Sequence, residues 1–259
     1  MLKTRVLPCL LLEGIRLVKT VQFKNPTYIG DPMNAVKIFN TKEVHELVLL
    51  DILATKQKRN PEFNFIAQIS EECTMPVTAG GGIKSLEDIK EMLRAGVEKV
   101  VINTQAVQNP ELIQEASQTF GSQAIVVSID VKQQRDGSYE IFTNGGNQST
   151  RLNPIDHARH MEKMGAGEIF LNSIDRDGTM SGYDITLIKR VTQAVNIPVI
   201  VCGGAGKLED LKAAVVEGGA SAVAAGSFFV FHGRRRAVLI NFPTPEELEK
   251  LFGREKSDE

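Results

Sequence analysis

The chain has 259 residues, a formal net charge of -2 and 42% hydrophobic residues. This length can bury a large core, and the charge gives no reason to expect a nucleic-acid partner, because phosphate backbones need a clustered cationic surface. The one basic run, Arg234 to Arg236, is too short to change this. Three cysteines cannot all pair, and no stretch approaches the ~20 apolar residues of a membrane span. We therefore expect a cytoplasmic protein that does not bind a membrane.

Eight short runs rich in Val, Ile and Leu recur along the chain, and each precedes a segment with helical spacing. Their hydrophobicity is continuous, which indicates strands covered on both faces, as in a parallel sheet wrapped by helices. Eight such units predict one α/β domain over residues 1–259, a closed (β/α)₈ or TIM barrel. The predicted strands are 5–11, 47–52, 76–80, 99–103, 124–130, 168–173, 198–203 and 221–226. Capping residues before Pro or acidic residues predict helix starts at Asp31, Ser85, Asn109, Asn153 and Thr244.

The two halves of the chain resemble each other. Residues 77–104 align with residues 199–226 without gaps, and both segments contain the letters LED. The same offset of 122 places Ile52 on Ile174. This pattern predicts a duplicated half-barrel.

Glycines follow predicted strands 3 and 7, at 80–82 and at Gly203-Gly204, and a helix comes next in both places. Glycine lets a backbone approach an anion closely, and a helix N-terminus offers unpaired N–H groups. The following strands end in Asn103-Thr104 and in Gly226-Ser227, which can complete each cradle. Two cradles at one barrel mouth predict a ligand with two anionic ends. The alternative, that these glycines only form turns, is weakened by the symmetric repetition.

Acid–base groups of a barrel enzyme are expected at strand C-termini. Asp130 is the best candidate for catalysis, and Asp51, Asp175 and Asp177 follow other strands. A structural capping role remains open for such carboxylates, first of all for Asp51 and Asp175. His157 and His160 fall on a predicted surface helix without a carboxylate motif, so we expect neither a metal nor a cofactor.

The segments GGGIKSLEDI, INTQAVQNPELI, SIDVK, NSIDRDGTMSGYD and VIVCGGAG closely resemble the cyclase subunit of imidazole glycerol phosphate synthase, from residue 1 to about 230. The resemblance implies a (β/α)₈ barrel that receives ammonia from a glutaminase subunit docked at its bottom. It also implies a small-molecule substrate with a phosphate at each end. By the same resemblance, Lys19 lies in a mobile loop over the site, one phosphate is bound by Gly82, Asn103 and Thr104, and the other by Asp177, Gly178, Gly204 and Ser227.

The family has a ring of four charges that gates ammonia at the barrel bottom. This chain has matching residues, each at or near the start of a predicted strand: Arg5, Glu46, Lys99 and Glu168. Such residues could merely stabilise the barrel floor, but with the resemblance we expect ammonia transfer to be retained.

One position departs from the family. The resemblance implies two aspartates as general acid and base, one ending strand 1 and one ending strand 5. Asp130 matches the second, whereas Leu11, within CLLLEG, stands in place of the first. Losing one member of such a pair removes on the order of 10² to 10⁴ in rate. Leu11 and the apolar tail segment AVLINFP resemble paralogous barrels encoded with bacterial surface-polysaccharide genes, which implies ammonia delivery for amidine formation on a nucleotide sugar.

Three functions follow from these observations. The leading hypothesis is an ammonia-accepting synthase subunit that has diverged toward amidino-sugar formation. The first alternative is a working cyclase of histidine biosynthesis, in which Asp130 and either Glu13 or Asp51 share the proton transfers. The second is a non-catalytic conduit that activates a glutaminase and hands ammonia to a third, ATP-using enzyme.

Overall fold

The computed structural model describes residues 4–233 and 235–253. Arg234, part of the basic run, lies outside the described residues. In chain order the described strands are β1 Arg5–Glu13, β2 Arg16–Val21, β3 Lys24–Gly30, β4 Leu47–Asp51, β5 Val77–Gly80, β6 Lys99–Ile102, β7 Ile125–Gln133, β8 Tyr139–Thr143, β9 Gln148–Ser149, β10 Glu168–Ser173, β11 Val199–Cys202, β12 Ala222–Ala225, β13 Phe231–His232 and β14 Ala237–Val238. The described α-helices are α1 Pro32–Asn40, α2 Phe63–Glu72, α3 Leu86–Arg94, α4 Thr104–Gln108, α5 Glu111–Phe120, α6 Pro154–Lys163, α7 Ile185–Thr192, α8 Leu208–Val216, α9 Ser227–Val230 and α10 Pro245–Phe252.

Eight parallel strands form a closed barrel, which confirms the predicted architecture. The strand order around the barrel is β1-β4-β5-β6-β7-β10-β11-β12, and β12 pairs with β1 to close it. All eight predicted strands correspond to these eight, with ends that differ by a few residues. The helices cover the outside, because the strands bury both of their faces.

A compact apolar cluster fills the barrel interior. Its buried residues include Leu7, Cys9, Leu11, Val48 and Phe170. A larger cluster joins the outer faces of the strands to the helices. Residues 7, 9 and 11 of β1 point inward and Leu10 belongs to the outer cluster, as the two-residue period of a strand requires.

The duplication is visible in the elements themselves. Strands β5 and β11 and helices α3 and α8 are related by the offset of 122. Beyond the barrel strands, β2 pairs antiparallel with β1, and β8 pairs antiparallel with β7. Both half-barrels therefore carry a hairpin extension of their first strand, which the sequence analysis did not predict.

Four of the five predicted helix caps are confirmed. Asp31, Ser85, Asn153 and Thr244 each accept a hydrogen bond from a backbone N–H in the first turn. The prediction at Asn109 is wrong, because α5 begins at Glu111 and has no side-chain cap. Nowhere in the described part of the chain is a helix long and apolar enough to span a membrane.

Candidate active site

One cavity opens at the carboxyl ends of the barrel strands, where α/β barrels carry their active sites. Leu11 lines this cavity as well. The cavity is also lined by twelve residues expected to take part in catalysis or phosphate binding: Lys19, Asp51, Gly82, Asn103, Thr104, Asp130, Asp177, Gly178, Gly203, Gly204, Gly226 and Ser227. The candidate carboxylates Glu13 and Asp175 are not among its described lining residues.

The first cradle consists of Gly82, Asn103 and Thr104. Asn103 donates its amide to the carbonyl of Ser128 at 3.0 Å, and the hydroxyl of Thr104 accepts from the backbone N–H of Asn144 at 3.2 Å. Gly82 lies against Ala54, so that a Cβ there would come within 2.7 Å of the Ala54 Cβ. The cradle is thus a tight pocket whose polar side chains are already oriented.

The second cradle consists of Gly178, Gly204 and Ser227, beside Gly203 and Gly226. At Gly204 the φ of +123° and the carbonyl of Gly182 leave no room for a Cβ. The hydroxyl of Ser227 is buried and has no hydrogen-bond partner. A buried hydroxyl is costly unless it is bonded, so this orphaned group, which lines the cavity, is suited to a ligand oxygen.

Asp130 lines the same cavity and is 8% exposed. Burial raises the pKa of Asp130 to about 7, with a further rise from Asp177, while the hydrogen bond from Ser128 opposes it. The Ser128 hydroxyl lies 3.3 Å from the Asp130 carboxylate. A carboxyl group that is half-protonated near neutral pH can both take up and release a proton.

Lys19 does not lie in a loop, as the sequence analysis expected, but in strand β2. It is 4% exposed, and its Nζ donates to the carbonyl of Cys9 at 3.0 Å. Thr20, the next residue, donates to the carboxylate of Asp177 at 2.9 Å. Burial raises the pKa of Asp177, although the charge of Lys19 and the bond from Thr20 oppose the shift. Strand β2 therefore brings the cation of Lys19 to the second cradle and fixes the carboxylate of Asp177 there through Thr20.

The carboxylate of Asp51 is bound by an arginine side chain and by backbone N–H groups of the following loop. Arg59 donates to both of its carboxylate oxygens, at 3.0 and 2.7 Å, and the backbone N–H groups of Leu53 and Ala54 bind one of them. These contacts favour a structural capping role for Asp51 over a catalytic one. Asp175 likewise accepts a backbone hydrogen bond, from Gln133 at 2.8 Å.

His157 is buried, contrary to its expected place on a surface helix. Helix α6 is present, but the side chain of His157 is 7% exposed, and its Nε2 has no hydrogen-bond partner. Burial lowers the pKa of His157 to about 4, with a smaller contribution from His160. Among the described residues, no cluster of three His, Cys, Asp or Glu side chains could hold a metal ion.

At the opposite end of the barrel, the four charged residues that the resemblance predicts to gate ammonia form a ring of alternating charge. Arg5 contacts both Glu46 and Glu168 at 2.6 Å. Lys99 contacts the same two carboxylates, each at 3.1 Å. Thr78, the second residue of β5, was not predicted to belong to this ring, yet its hydroxyl donates to Glu46 at 2.6 Å. Each carboxylate thus bridges two cations, which offsets the desolvation of the ring.

These features define a (β/α)₈ barrel with two glycine-rich clusters and a buried aspartate at one end and a charged ring at the other. The profile of the family described as "Histidine biosynthesis protein" matches residues 5–235. The chain belongs to this family. It is 48% identical over 249 residues to a Pseudomonas aeruginosa protein that carries the provisional name imidazole glycerol phosphate synthase subunit hisF2, with 96% of this chain and 99% of the relative covered.

Two further relatives agree. A Leptospira interrogans protein with the provisional name imidazole glycerol phosphate synthase subunit HisF is 46% identical over 253 residues, 97% of this chain and all of the relative. The imidazole glycerol phosphate synthase subunit HisF of Alkaliphilus metalliredigens is 44% identical over 232 residues, 90% of this chain and 92% of the relative. The chain is therefore a HisF-type barrel along nearly its whole length.

Proposed function

We propose that the protein is the ammonia-accepting synthase subunit of a glutamine-dependent amidotransferase, and that its reaction has diverged from the two-aspartate cyclisation of imidazole glycerol phosphate synthase. Leu11 carries this proposal, because it lines the cavity with Asp130 and cannot exchange a proton. The similarity to imidazole glycerol phosphate synthase subunits supports the general class of the protein.

The charged ring supports a retained supply of ammonia. Arg5, Glu46, Lys99 and Glu168 surround the barrel axis at the amino-terminal ends of the strands, and a glutaminase subunit docked there would release ammonia into the barrel. Because each side chain is held by two others, a passage through the ring requires ion pairs to open. This coupling gives the partner subunit a means of controlling entry.

The ligand is proposed to be a phosphorylated small molecule held by both cradles. The orphaned hydroxyl of Ser227 and the cation of Lys19 suit an anionic end at the second cradle. The finer proposal is that ammonia replaces the carbonyl oxygen of an amide substituent on a nucleotide sugar, so that an amidine for surface polysaccharide forms and the oxygen leaves as water or on a group that activated it. In that reaction Asp130 transfers the proton, and a second carboxylate at β1 is not needed.

The working cyclase remains the second candidate, because relatives named HisF are up to 48% identical to this chain. The two carboxylates that could share the proton transfers with Asp130 in a cyclase are poorly placed for that role. Asp51 is engaged by Arg59, and Glu13 is not one of the cavity-lining residues in the described part of the chain. Asp177 lies close enough to influence Asp130, but it is bonded to Thr20.

Complementation of a histidine auxotroph that lacks the cyclase subunit tests the proposal. The gene is expressed alone and together with the matching glutaminase, and growth without histidine is scored against an active cyclase. We expect no growth in either case. Robust growth would show that Leu11 does not prevent cyclisation, and would establish the second candidate instead.

A further inference from the structure

A second pocket adjoins the first cradle on its outer side. It shares Thr55, Lys56, Gly82, Ile83 and Thr104 with the active-site cavity. Beyond the cradle its walls are the loop after β4, the start of α4 and the turn between β8 and β9. We call it the lysine pocket, and its defining residues are Lys56, Lys58, Arg59, Lys84, Gln105 and Asn144.

The lining of the lysine pocket contains four cations and no carboxylate. Arg59 is neutralised by Asp51, but within the described residues no ion pair compensates Lys56, Lys58 or Lys84. Three ammonium groups that line one pocket make it locally positive, although the protein as a whole carries a formal net charge of -2. This local excess of positive charge suits an anionic ligand.

The loop that carries two of these lysines is fixed in position. The buried carboxylate of Asp51 binds the backbone at Leu53 and Ala54 and the side chain of Arg59, so both ends of the loop are anchored. Lys58 adopts a φ of +53°, a conformation that persists in a non-glycine residue only where the surroundings enforce it. The lysines are therefore presented by an ordered loop, which reduces the entropy lost on binding.

The other half-barrel has no equivalent of this charge. At the offset of 122, Lys56, Lys58 and Lys84 correspond to Gly178, Met180 and Gly206. The offset holds through this region, because α2 and α7, and also α3 and α8, begin 122 residues apart. The two cradles are thus equivalent by duplication, but only the first has lysines at these three positions. At the second, the cations Lys19 and Arg236 come from other elements.

We propose that the lysine pocket binds a second phosphoryl group, joined to the one held in the first cradle, so that the ligand carries a diphosphate ester at this end. Lys56 lines both pockets and is placed to bridge the two phosphoryl groups. The buried side-chain oxygen of Asn144 has no partner, and it would accept a hydrogen bond from a hydroxyl or amide of the ester. The inference rests on the proposed function and specifies its acceptor.

Isothermal titration of the full chain at fixed ionic strength tests this inference. The probes are inorganic phosphate, inorganic pyrophosphate and a nucleoside diphosphate. The variant is Lys56→Gln with Lys84→Gln, and the control is Lys212→Gln, an exposed lysine of α8 outside both pockets. Thermal unfolding of each variant verifies that it is folded.

We expect pyrophosphate to bind at least about tenfold more tightly than phosphate, and the double variant to lose about tenfold in pyrophosphate affinity. Phosphate affinity should fall by clearly less, no more than about threefold, because of the two lysines only Lys56 also lines the first cradle. Lys212→Gln should change neither affinity. Equal affinity for the two anions, or equal weakening of both in the double variant, would overturn the inference. The nucleoside diphosphate should bind at least as tightly as pyrophosphate, and its exclusion would overturn the assignment to an ester. Because no ammonia or turnover is measured, this result is independent of the complementation test.

Discussion

Leu11 and Asp130 line the same cavity from the ends of β1 and β7, the first strands of the two half-barrels. One is an alkyl side chain that is 8% exposed, and the other is a carboxyl group with the same exposure. Burial beside apolar groups raises the pKa of Asp130 to about 7. The duplicated scaffold therefore presents one proton-transferring group where a symmetric site would present two.

The pKa of Asp130 predicts a pH-dependent cost in stability. Since the folded value is about 7 and the ordinary value is 3.8, this group favours the folded state fully below about pH 4 and loses that contribution as the pH rises to about 7. The variant Asp130→Asn lacks this dependence. We expect its free energy of unfolding, relative to the unchanged protein, to rise by a few kcal/mol between pH 4 and pH 8, as measured by urea denaturation. A relative stability that does not vary with pH would contradict the raised pKa.

His157 predicts the opposite dependence at acid pH. Its folded pKa of about 4 lies below the ordinary 6.5, so its contribution to stability is present above pH 6.5 and is lost as the pH falls through about 4. Between pH 6.5 and pH 4 the free energy of unfolding should therefore decrease by about 3 kcal/mol less in His157→Gln than in the unchanged protein, as measured by urea denaturation. His160→Gln, an exposed change on the same helix, is the control and should alter the acid limb far less, because His160 is only the smaller cause of the lowered pKa of His157. Equal effects of the two variants would argue against burial as the cause.

Removal of the Ser227 hydroxyl should weaken phosphate binding without changing the stability of the fold. The buried hydroxyl has no partner, so Ser227→Ala should change the free energy of unfolding by less than about 0.5 kcal/mol. Binding of inorganic phosphate at one of the two sites should weaken about tenfold, as measured by titration calorimetry. Ser221→Ala is the control, because that hydroxyl bonds the backbone of Val199 outside the cavity. Unchanged phosphate binding in Ser227→Ala would remove this hydroxyl from the cradle.

If the four charges act as one ring, a second substitution should recover stability that a first one has lost. Lys99→Met leaves Glu46 and Glu168 with Arg5 alone, and we expect a loss of about 3 kcal/mol, because one buried charge becomes uncompensated. Adding Glu168→Gln restores the balance of one cation and one anion, so the double variant should recover part of the loss in urea denaturation. Strictly additive losses would mean that the four charges do not act as one ring.

The sequence predicted the barrel because each strand is apolar on both faces, a local property of consecutive residues. It did not predict the hairpin of β2 and β3. The segment from Arg16 to Gly30 is rich in polar residues, and only its pairing with β1 defines it as a sheet. Lys19 was therefore expected in a loop, although it is buried in the structure. The available signal was the run of residues with high strand propensity in RLVKTV, which follows Gly14 and contains Val18, Thr20 and Val21.

Partners of the site residues were predictable only where they share a strand. Ser128 lies two residues before Asp130, so both point into the barrel, and the hydrogen bond between them could have been anticipated. The pairing of Arg59 with Asp51 depends on the path of a loop, which the pattern of hydrophobic residues does not determine. The same loop forms the lysine pocket, which is why that pocket emerged only from the structure.

Ammonia-dependent turnover of the bisphosphate substrate of imidazole glycerol phosphate synthase is the most direct measurement, made on the unchanged protein and on Leu11→Asp. We expect the unchanged protein to be nearly inactive and Leu11→Asp to gain on the order of 10² or more, because the variant restores a second proton-transferring group opposite Asp130. Leu11→Asn has a similar size but carries no ionisable group, and it should gain nothing. Efficient cyclisation by the unchanged protein, with no gain in Leu11→Asp, would contradict a diverged reaction.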